Sequence, residues 1–339
     1  MINWAHLPFA YHKTHTNVRS VYANNTWGAL TSHTDENLSI HMAASCLHYG
    51  QECFEGLKAF RGKDNTVRIF RWEENLKRMN KSANRLSMPS IPEHIFKQAL
   101  IQVIQENKEF IPPYGTGASL YFRPLLIGSS ARLGLSPADE YMFVLFCSPV
   151  GPYFKTGIKP VKIIVERETD RAAPLGTGNV KVGGNYAPAL STTQRVQKLG
   201  YSSALYLDPK EKKYIDECGP ANFFGIKNNT YITPQSESIL ESITNKSLQT
   251  VASEILGLSV EKRKVPLEEL ADFEETAQCG TAAVLTPIYE IYDPTTNIRY
   301  TYGDEKTTGK ICSELYKTLY GIQTGDITDS FGWNTLVEI

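Results

Sequence analysis

The chain has 339 residues, a formal net charge of -1, 41% hydrophobic residues and 21% charged residues, a composition that is ordinary for soluble proteins. The length predicts two domains, and the balanced, dispersed charge argues against a nucleic-acid-binding surface. A membrane-spanning helix needs about 20 consecutive apolar residues, whereas the longest run here, from Met142 to Cys147, is typical of a buried strand.

The first 148 residues predict helices and strands. In WEENLKRMNKSANRL, apolar residues recur at steps of four and three, which predicts one face of a helix: Trp72, Leu76, Met79, Ala83 and Leu86. PEHIFKQALIQVIQENKEF has the same periodicity, whereas ASLYFRPLLIG and EYMFVLFCSPV are typical of strands. Residues 149–160 are rich in glycine and proline and predict a linker between a smaller N-terminal domain, 1–148, and a larger C-terminal domain, 161–339.

The second half mixes short strands with two helices. VKIIVE predicts a strand, and a polar, glycine-rich loop leads from it to Lys181. A helix follows between Pro188, which suits a first turn, and Gly200, which ends it. SSALYLD, KKYIDE, NFFGIK and TYITP predict strands, and another helix begins near Ser242. Without a strict repeat, this order indicates an α/β or α+β fold in two lobes.

Cysteine and histidine placement narrows the possible chemistry. Six cysteines are scattered without a C-x-x-C pair, and the N-terminus lacks the pattern of a secretory signal or a transit peptide, so we expect reduced thiols and a cytoplasmic location. All seven histidines lie at or before His94. Chemistry in the second half would therefore proceed without a Ser-His-Asp triad or a histidine-rich zinc site, and we predict no metal site.

Lys181 is the first candidate functional residue. It lies in GTGNVKVGGNYAPAL between two glycine-rich turns, five residues before Tyr186. Glycines allow a planar group to approach the backbone, and a lysine that is desolvated or lies near another cation is a good Schiff-base former. A solvated loop lysine has the same spacing, so other residues must decide.

Four further segments hold groups suited to a phosphorylated pyridine. Glu217 lies between a strand and a Gly-Pro turn, where its carboxylate is able to keep a pyridine nitrogen protonated. A helix N-terminus and a Gly-Thr-Ala turn offer amides for phosphate, and a strand end offers a guanidinium: Ile243, Thr244, Thr281 and Arg71. Taken singly, each of these residues could equally serve as a helix cap or in a surface ion pair. Taken together, they match the groups that bind pyridoxal phosphate.

Seven blocks carry a more specific signal: LHYGQECFEGLKAFRG, IFRWEENLKRMNKSANRLSMP, LYFRPLLIG, PVGPYF, KVGGNYAPAL, CGTAAVLTPI and YGIQTGDITDSFGW. They resemble the branched-chain amino-acid aminotransferases, which are fold-type IV pyridoxal-phosphate enzymes, and they run from about Leu47 to Trp333. The resemblance implies an α/β (α+β) two-domain fold with a smaller N-terminal lobe, a larger C-terminal lobe that carries the lysine, and an active site between them.

The resemblance also implies how the cofactor, pyridoxal 5'-phosphate, is held. Lys181 would bind it covalently and move the proton between the substrate α-carbon and the cofactor. Tyr186 would hydrogen-bond the phenolic oxygen, and Glu217 the pyridine nitrogen. The phosphate would be held by four residues: Arg71, Ile243, Thr244 and Thr281.

Substrate contacts are implied in the same way. Turn amides at Thr281 and Ala282 would take the α-carboxylate, and Arg123 the second carboxylate of glutamate. An apolar side-chain pocket would be lined by three aromatic residues: Phe54, Tyr121 and Tyr153. Tyr49 would reach the active site of a neighbouring subunit, which implies a homodimer or a higher homo-oligomer.

Three departures from the family pattern stand out. The turn LESITN places Glu241, Ser242 and Asn245 where many relatives have a Leu-Pro-Gly start and a nearby arginine, so we expect a different local charge. Pro220 replaces a threonine of the mammalian relatives, and AAVLT replaces their C-x-x-C pair, so we expect no thiol switch of that kind.

The predicted function is ping-pong transamination between L-leucine, L-isoleucine or L-valine and 2-oxoglutarate. The partners are then small amino acids and 2-keto acids, with neither nucleic acid nor membrane. A D-amino-acid or amine transaminase, or an aminodeoxychorismate lyase, is the nearest alternative. A cofactor-binding protein without turnover is another, although such a protein would usually lack Lys181 or Glu217, and both are present.

Overall fold

The structure is a computed structural model that describes residues 2–152 and 158–339. Its helices are α1 Ser45–Tyr49, α2 Trp72–Arg85, α3 Glu93–Glu106, α4 Ala189–Lys198, α5 Ile243–Glu254 and α6 Lys310–Thr324, with 3₁₀ turns at Trp4–His6, Lys108–Phe110, Gly183–Asn185 and Leu267–Asp272. Its strands are β1 Asn17–Ala23, β2 Thr26–Trp27, β3 Thr31–His33, β4 Glu52–Phe54, β5 Leu57–Arg61, β6 Val67–Phe70, β7 Ser119–Gly128, β8 Tyr141–Val150, β9 Val161–Glu166, β10 Ala204–Tyr206, β11 Glu217–Cys218, β12 Ala221–Lys227, β13 Thr230–Pro234, β14 Ser259–Arg263, β15 Glu275–Gly280, β16 Val284–Asp293, β17 Ile298–Thr301 and β18 Asn334–Val337.

The first sheet is antiparallel in every described pairing and has the order β18-β6-β5-β7-β8-β1-β2, with β3 beside β1 and β4 beside β7. Its longest ladder joins β7 to β8, from the Ser119–Val150 pair to the Gly128–Tyr141 pair. The two strands predicted from ASLYFRPLLIG and EYMFVLFCSPV are thereby confirmed.

The predicted helices α2 and α3 are confirmed, and their apolar stripes pack into the core of the first sheet. The stripe of α2 is buried at Trp72, Leu76, Met79 and Ala83, and Leu86 packs against the same core from just beyond the helix. On α3 the sequence Pro92-Glu93 supplies an N-cap proline and an acidic first turn, a favourable helix start.

The second sheet is mixed and has the order β10-β9-β16-β15-β12-β13-β14, with β11 beside β12 and β17 beside β16. Parallel pairing joins β9 to β10 and β16, and β13 to β14. The helices predicted after Pro188 and near Ser242 are α4 and α5, and Gly200 adopts a positive φ of 84° beyond α4. Two sheets with intervening helices confirm the predicted α/β (α+β) class.

Contacts divide the chain into two compact units. The first is Met1–Lys155 with Val180–Gly183 and Ile322–Ile339, and the second is Thr156–Asn179 with Gly184–Gly321. The Lys181 segment thus groups with the first unit rather than with 161–339, because its flanking valines are buried in the first core. The C-terminus does so because β18 pairs with β6. The linker at 149–160 stays a prediction, since residues 153–157 lie outside the described ranges.

None of the helices described here combines the length and the apolar character that crossing a bilayer requires.

Candidate active site

Lys181 lies in a short segment that is held on both sides. Its neighbours Val180 and Val182 are only 2% and 3% exposed. The Lys181 N–H donates to Ser82 Oγ on α2 over 2.9 Å, and the Lys181 carbonyl accepts the N–H of Phe54, the last residue of β4, over 3.2 Å. These contacts fix the backbone of Lys181, so only its side chain remains to change position.

The amine of Lys181 lies against an aromatic ring near a second cation. Its Nζ is 4.6 Å from the centroid of the Phe54 ring. Burial, and then the charge of Arg78, lower the pKa of Lys181 to about 8, although Glu55 acts in the opposite direction. Because the neutral amine is the nucleophilic form, this lysine is far better prepared to attack a carbonyl carbon than a solvated one.

Two predicted substrate residues lie beside Phe54. Alternation along β7 places Tyr121 and Arg123 on one face of the strand, and Arg123 Nη2 donates to the Tyr121 hydroxyl over 3.0 Å. The guanidinium carbon of Arg123 is 4.8 Å from the centroid of the Phe54 ring. The structure therefore brings Lys181, Phe54, Tyr121 and Arg123 together, which makes a surface that is aromatic and cationic at once.

A buried ion pair next to the lysine was missed in the sequence. Glu55, which is fully buried, accepts from Arg78 Nε over 2.6 Å and from Arg78 Nη2 over 2.8 Å. Asn75 Nδ2 donates to Glu55 Oε2 over 2.7 Å. Burial would raise the pKa of Glu55, but the Arg78 guanidinium holds it below the ordinary value. The pair joins α2 to the β4–β5 connection.

Arg71 lies between β6 and α2, as predicted. It caps α2 with a left-handed φ of 51°, a conformation that is uncommon for residues other than glycine. Its N–H donates to the Trp333 carbonyl over 2.8 Å, and its guanidinium carbon is 4.9 Å from the centroid of the Trp333 ring. The segment before β18 therefore orients this predicted phosphate ligand.

Glu217 is a buried acid in the second unit, only 2% exposed. Its Oε1 lies 2.7 Å from Arg171 Nε and accepts the Leu240 N–H over 3.1 Å, and its Oε2 accepts from Asn222 Nδ2 over 3.0 Å. Burial raises the pKa of Glu217 to about 7, although Arg171 acts in the opposite direction. A carboxyl group oriented in this way would be stabilised in its charged form by one more cation, such as a protonated ring nitrogen.

Asn222 and Arg171 were not predicted, and both support this acid. Asn222 Oδ1 also accepts the Ser242 N–H over 3.3 Å, so Asn222 links Glu217 to the start of α5. Arg171 Nη2 donates to the Gly178 carbonyl over 2.8 Å and to the Ser238 carbonyl. The only local signal for Asn222 was a polar residue directly before the run FFGI.

The predicted phosphate turn is the N-terminus of α5. Ile243 and Thr244 are its first residues, and Ser242 caps it by accepting the Asn245 N–H over 3.2 Å. A helix start of this kind presents amides and a favourable dipole to an anion.

Glu241 and Asn245, two of the residues that depart from the family pattern, contact other side chains of the second unit. Lys262 Nζ and Lys246 Nζ lie 2.8 Å and 3.1 Å from the Glu241 carboxylate, and hydrogen bonding from Lys262 contributes most to lowering the pKa of Glu241 to about 2. Asn245 is buried and accepts from the Tyr231 hydroxyl over 2.7 Å. Two lysines therefore balance the Glu241 carboxylate in this turn, and the difference from the family pattern stays a prediction.

Thr281 and Ala282 are half-buried and follow β15 in the turn before β16, as predicted. The register aligns Asn222 with Glu217 on one side and with Cys279 on the other, and this turn begins two residues beyond Cys279. Tyr186 is half-buried, and its carbonyl accepts the Ala189 N–H over 3.1 Å at the start of α4.

One predicted substrate residue, Tyr49, lies apart from these groups, and the structure does not describe another. Tyr49 on α1 is 42% exposed, and its hydroxyl donates to the Leu133 carbonyl. Tyr153 lies outside the described residues. A pocket role for either one stays a prediction.

Comparison with known proteins identifies the family. The model for "Amino-transferase class IV" matches residues 52–291, a range that contains Lys181, Glu217 and both predicted anion-binding turns. The chain belongs to the class IV aminotransferases. The resemblance found in the sequence, the predicted fold of this family and the predicted transaminase activity are thereby confirmed.

A relative agrees with this assignment, and two solved structures share the fold. A branched-chain-amino-acid aminotransferase of Haemophilus influenzae is 44% identical over 346 residues and is matched across 99% of each chain. The solved structure of the Escherichia coli branched-chain amino acid aminotransferase has a TM-score of 0.79 at 24% identity, covering 96% of this class IV aminotransferase and 99% of that chain. The enzyme of the same name from Thermobaculum terrenum, solved in its PLP-form (holo-form), has a TM-score of 0.76 at 22% identity, covering 96% and 99%.

Proposed function

We propose that this class IV aminotransferase moves the amino group between branched-chain L-amino acids and 2-oxoglutarate. The observation that supports it most is the group of Phe54, Tyr121 and Arg123 beside Lys181. Such a substrate site must accept both a branched apolar side chain and the distal carboxylate of glutamate. Aromatic rings that carry a hydroxyl, next to a guanidinium, suit both.

The residues fit pyridoxal 5'-phosphate. When bound, this cofactor supplies an electron sink for the pair left on the substrate α-carbon once its proton departs. Lys181 would hold the cofactor and then carry that proton, a role suited to an amine whose pKa is about 8. The buried Glu217 would keep the ring nitrogen protonated, and Tyr186 would hydrogen-bond the phenolic oxygen. The phosphate would be held by the remaining cofactor residues: Arg71, Ile243, Thr244 and Thr281.

For the substrate, turn amides at Thr281 and Ala282 would bind the α-carboxylate, and Tyr153 would add to the aromatic wall. We also propose a homodimer to which Tyr49 contributes. Tyr49 is exposed in a region where Met42, Leu47, Leu133 and Leu135 are also exposed, and the Arg132 N–H donates to the Ala43 carbonyl over 2.8 Å, which joins the two segments. Six free cysteines fit a reducing cytoplasm.

Substrate preference tests the proposal. With 2-oxoglutarate as acceptor, L-leucine, L-isoleucine and L-valine should each form glutamate at least about 100-fold faster than D-alanine, because a hydrophobic pocket distinguishes side chains by about 1–3 kcal/mol and the wrong enantiomer misplaces the α-hydrogen as well. A preference for D-alanine would replace this proposal with a D-amino-acid transaminase.

Arg123→Met sharpens the same test. It should raise KM for 2-oxoglutarate by about tenfold or more, since a charge-assisted hydrogen bond contributes about 1.5–3 kcal/mol, and it should change the leucine half-reaction less. Equal losses in both half-reactions would contradict the role proposed for Arg123.

A further inference from the structure

Ser82 is a buried serine on α2 whose hydroxyl has two described partners. Its Oγ donates to the Arg78 carbonyl over 3.0 Å and accepts the Lys181 N–H over 2.9 Å. A hydroxyl has only one proton to donate. With that proton directed at Arg78, the Ser82 oxygen presents lone pairs to Lys181. A serine inside a helix does not favour helix formation, so the contact with Lys181 gives this one a specific purpose.

The turn of α2 before Ser82 is fixed by the buried ion pair. Asn75, Arg78 and Ser82 follow one another at spacings of three and four, which places them on one face of the helix. Asn75 and Arg78 bind both oxygens of Glu55, and Ser82 binds Lys181. One polar, buried helix face therefore holds the β4–β5 connection and the lysine segment in a common register.

The opposite side of the lysine peptide is held as well. The Phe54 N–H binds the Lys181 carbonyl, and the Gly183 N–H donates to Glu52 Oε1. Hydrogen bonds on both sides of Lys181 restrain its φ and ψ. The positions of these partners therefore limit where its amine can lie. Among them, the Ser82 hydroxyl is a side-chain group that substitution can remove without altering the chain path of β4.

We propose that Ser82 is a positioning residue: it fixes the Cα of Lys181, and thereby the place that the reactive amine occupies beside Phe54 and Arg78. The inference rests on the proposed function, in which Lys181 binds the cofactor.

Three variants test it. Ser82→Ala removes the acceptor of the Lys181 N–H, and Ser82→Thr retains a hydroxyl. Ser247→Ala is the matched control, because Ser247 is also fully buried and its hydroxyl also donates to the carbonyl four residues earlier, that of Ile243, over 2.9 Å. For the wild type and all three variants, kcat and KM for L-leucine, the denaturant midpoint and the state of the lysine are measured.

The lysine is examined in the cofactor-free, full-length protein. A small amine-reactive reagent is added over a pH series, and the rate at which it modifies Lys181 is followed by peptide mass spectrometry. The charged and titratable groups that act on the amine are Glu55, Arg78, Tyr121 and Arg123, and all remain in every variant. Only the position of the amine among them changes.

The inference predicts that Ser82→Ala lowers kcat by about tenfold or more, since small displacements of a reacting group are costly, with KM nearly unchanged. As the amine leaves its buried, cationic surroundings, the midpoint of its modification curve should rise by roughly one pH unit. Ser82→Thr should restore both values. Ser247→Ala should lower the denaturant midpoint as Ser82→Ala does without moving the modification curve.

Wild-type kcat and an unmoved modification curve in Ser82→Ala would overturn the inference, as would a Ser247→Ala variant that moves the curve equally. If Ser82→Ala does not fold, Ser82→Cys is decisive, because a thiol is a weaker acceptor of similar size; a wild-type curve in that variant would overturn the inference. If the wild type itself forms no yellow complex with pyridoxal 5'-phosphate, the proposed function fails and the inference with it. If the complex forms but the variants match the wild type, only the inference fails.

Discussion

Burial shifts the pKa of Lys181 in the first unit and of Glu217 in the second, but the nearby arginine acts differently on each. Both groups have pKa values moved towards neutrality by burial, to about 8 for Lys181 and about 7 for Glu217. Both have an arginine nearby. Arg78 is bound to its own carboxylate, Glu55, whereas Arg171 pairs with Glu217 itself.

This difference decides which form each group takes. At Lys181 the arginine acts in the same direction as burial and favours the neutral amine, the form that attacks a carbonyl carbon. At Glu217 the arginine opposes burial without overcoming it, so the acid still gains from another cation. On the proposed function, the first setting suits a nucleophile and the second suits a partner for a positively charged ring.

Lys181→Ala should have the largest effect. On the proposed function it removes both the covalent anchor and the proton carrier, so the rate of the L-leucine half-reaction should fall by about 10⁴-fold, measured in single-turnover reactions. Lys58→Met is the matched control, because burial lowers the pKa of Lys58 to about 8 as well. If Lys58→Met abolishes covalent cofactor binding and Lys181→Ala does not, the nucleophile has been misassigned.

Glu217→Gln should lower kcat by about 10³-fold, at the upper end of what losing one preorganised electrostatic partner of the transition state costs. Steady-state kinetics with saturating pyridoxal 5'-phosphate measure this. Glu166→Gln is the control, since Glu166 is equally buried in the same unit and pairs with Arg195. Its kcat should stay close to that of the wild type. Similar losses in both variants would indicate a general effect of removing a buried acid.

The pH dependence of stability should run in opposite directions for the two groups. Between about 4.5 and 7 the unfolded chain has lost the Glu217 proton and the folded chain retains it, so the free energy of unfolding should fall as pH rises, by up to about 3 kcal/mol. Between about 8 and 10.5 the unfolded chain retains the Lys181 proton and the folded chain has lost it, so the free energy of unfolding should rise.

Denaturant unfolding of the cofactor-free protein measures both slopes. Glu217→Gln should flatten the acid slope. Lys181→Met should reduce the alkaline slope without abolishing it, because Lys58 contributes in the same window. An alkaline slope that Lys181→Met leaves unchanged would contradict the buried setting described for this lysine.

Glu241→Gln should have the smallest effect. Glu241 is paired with Lys246 and Lys262 and is partly exposed, and such pairs contribute about 0–1 kcal/mol. The Kd for pyridoxal 5'-phosphate, from fluorescence titration, should change by less than about fivefold. A larger tightening would show that the altered turn does weaken phosphate binding.

Local patterns in the sequence predicted much of the fold. The stripe from Trp72 to Leu86 and the alternation along β7 depend on periodicity within one segment, and both appear as expected. The roles assigned to Lys181 and Glu217 came from family motifs, not from periodicity.

The supporting residues could not be found in this way. Ser82 and Lys181 are 99 residues apart in the chain, and Glu55 meets Arg78 only because the connection after β4 packs on α2. In the sequence alone, a polar residue next to the apolar stripe of a helix is interpreted as solvent-exposed, because its buried partner is not known. Asn222 and Arg171 were missed for the same reason. The placement of Lys181 with the first unit follows from two buried valines that are too few to form a sequence pattern.

The most direct test of the central claim is the visible spectrum of the purified protein with pyridoxal 5'-phosphate, recorded before and after L-leucine and again after 2-oxoglutarate. The account predicts a yellow band that L-leucine bleaches and 2-oxoglutarate restores, and that Lys181→Ala lacks. A yellow band that L-leucine leaves unchanged would contradict the proposed substrate, and the absence of any band would contradict the assignment of Lys181 as the residue that binds the cofactor.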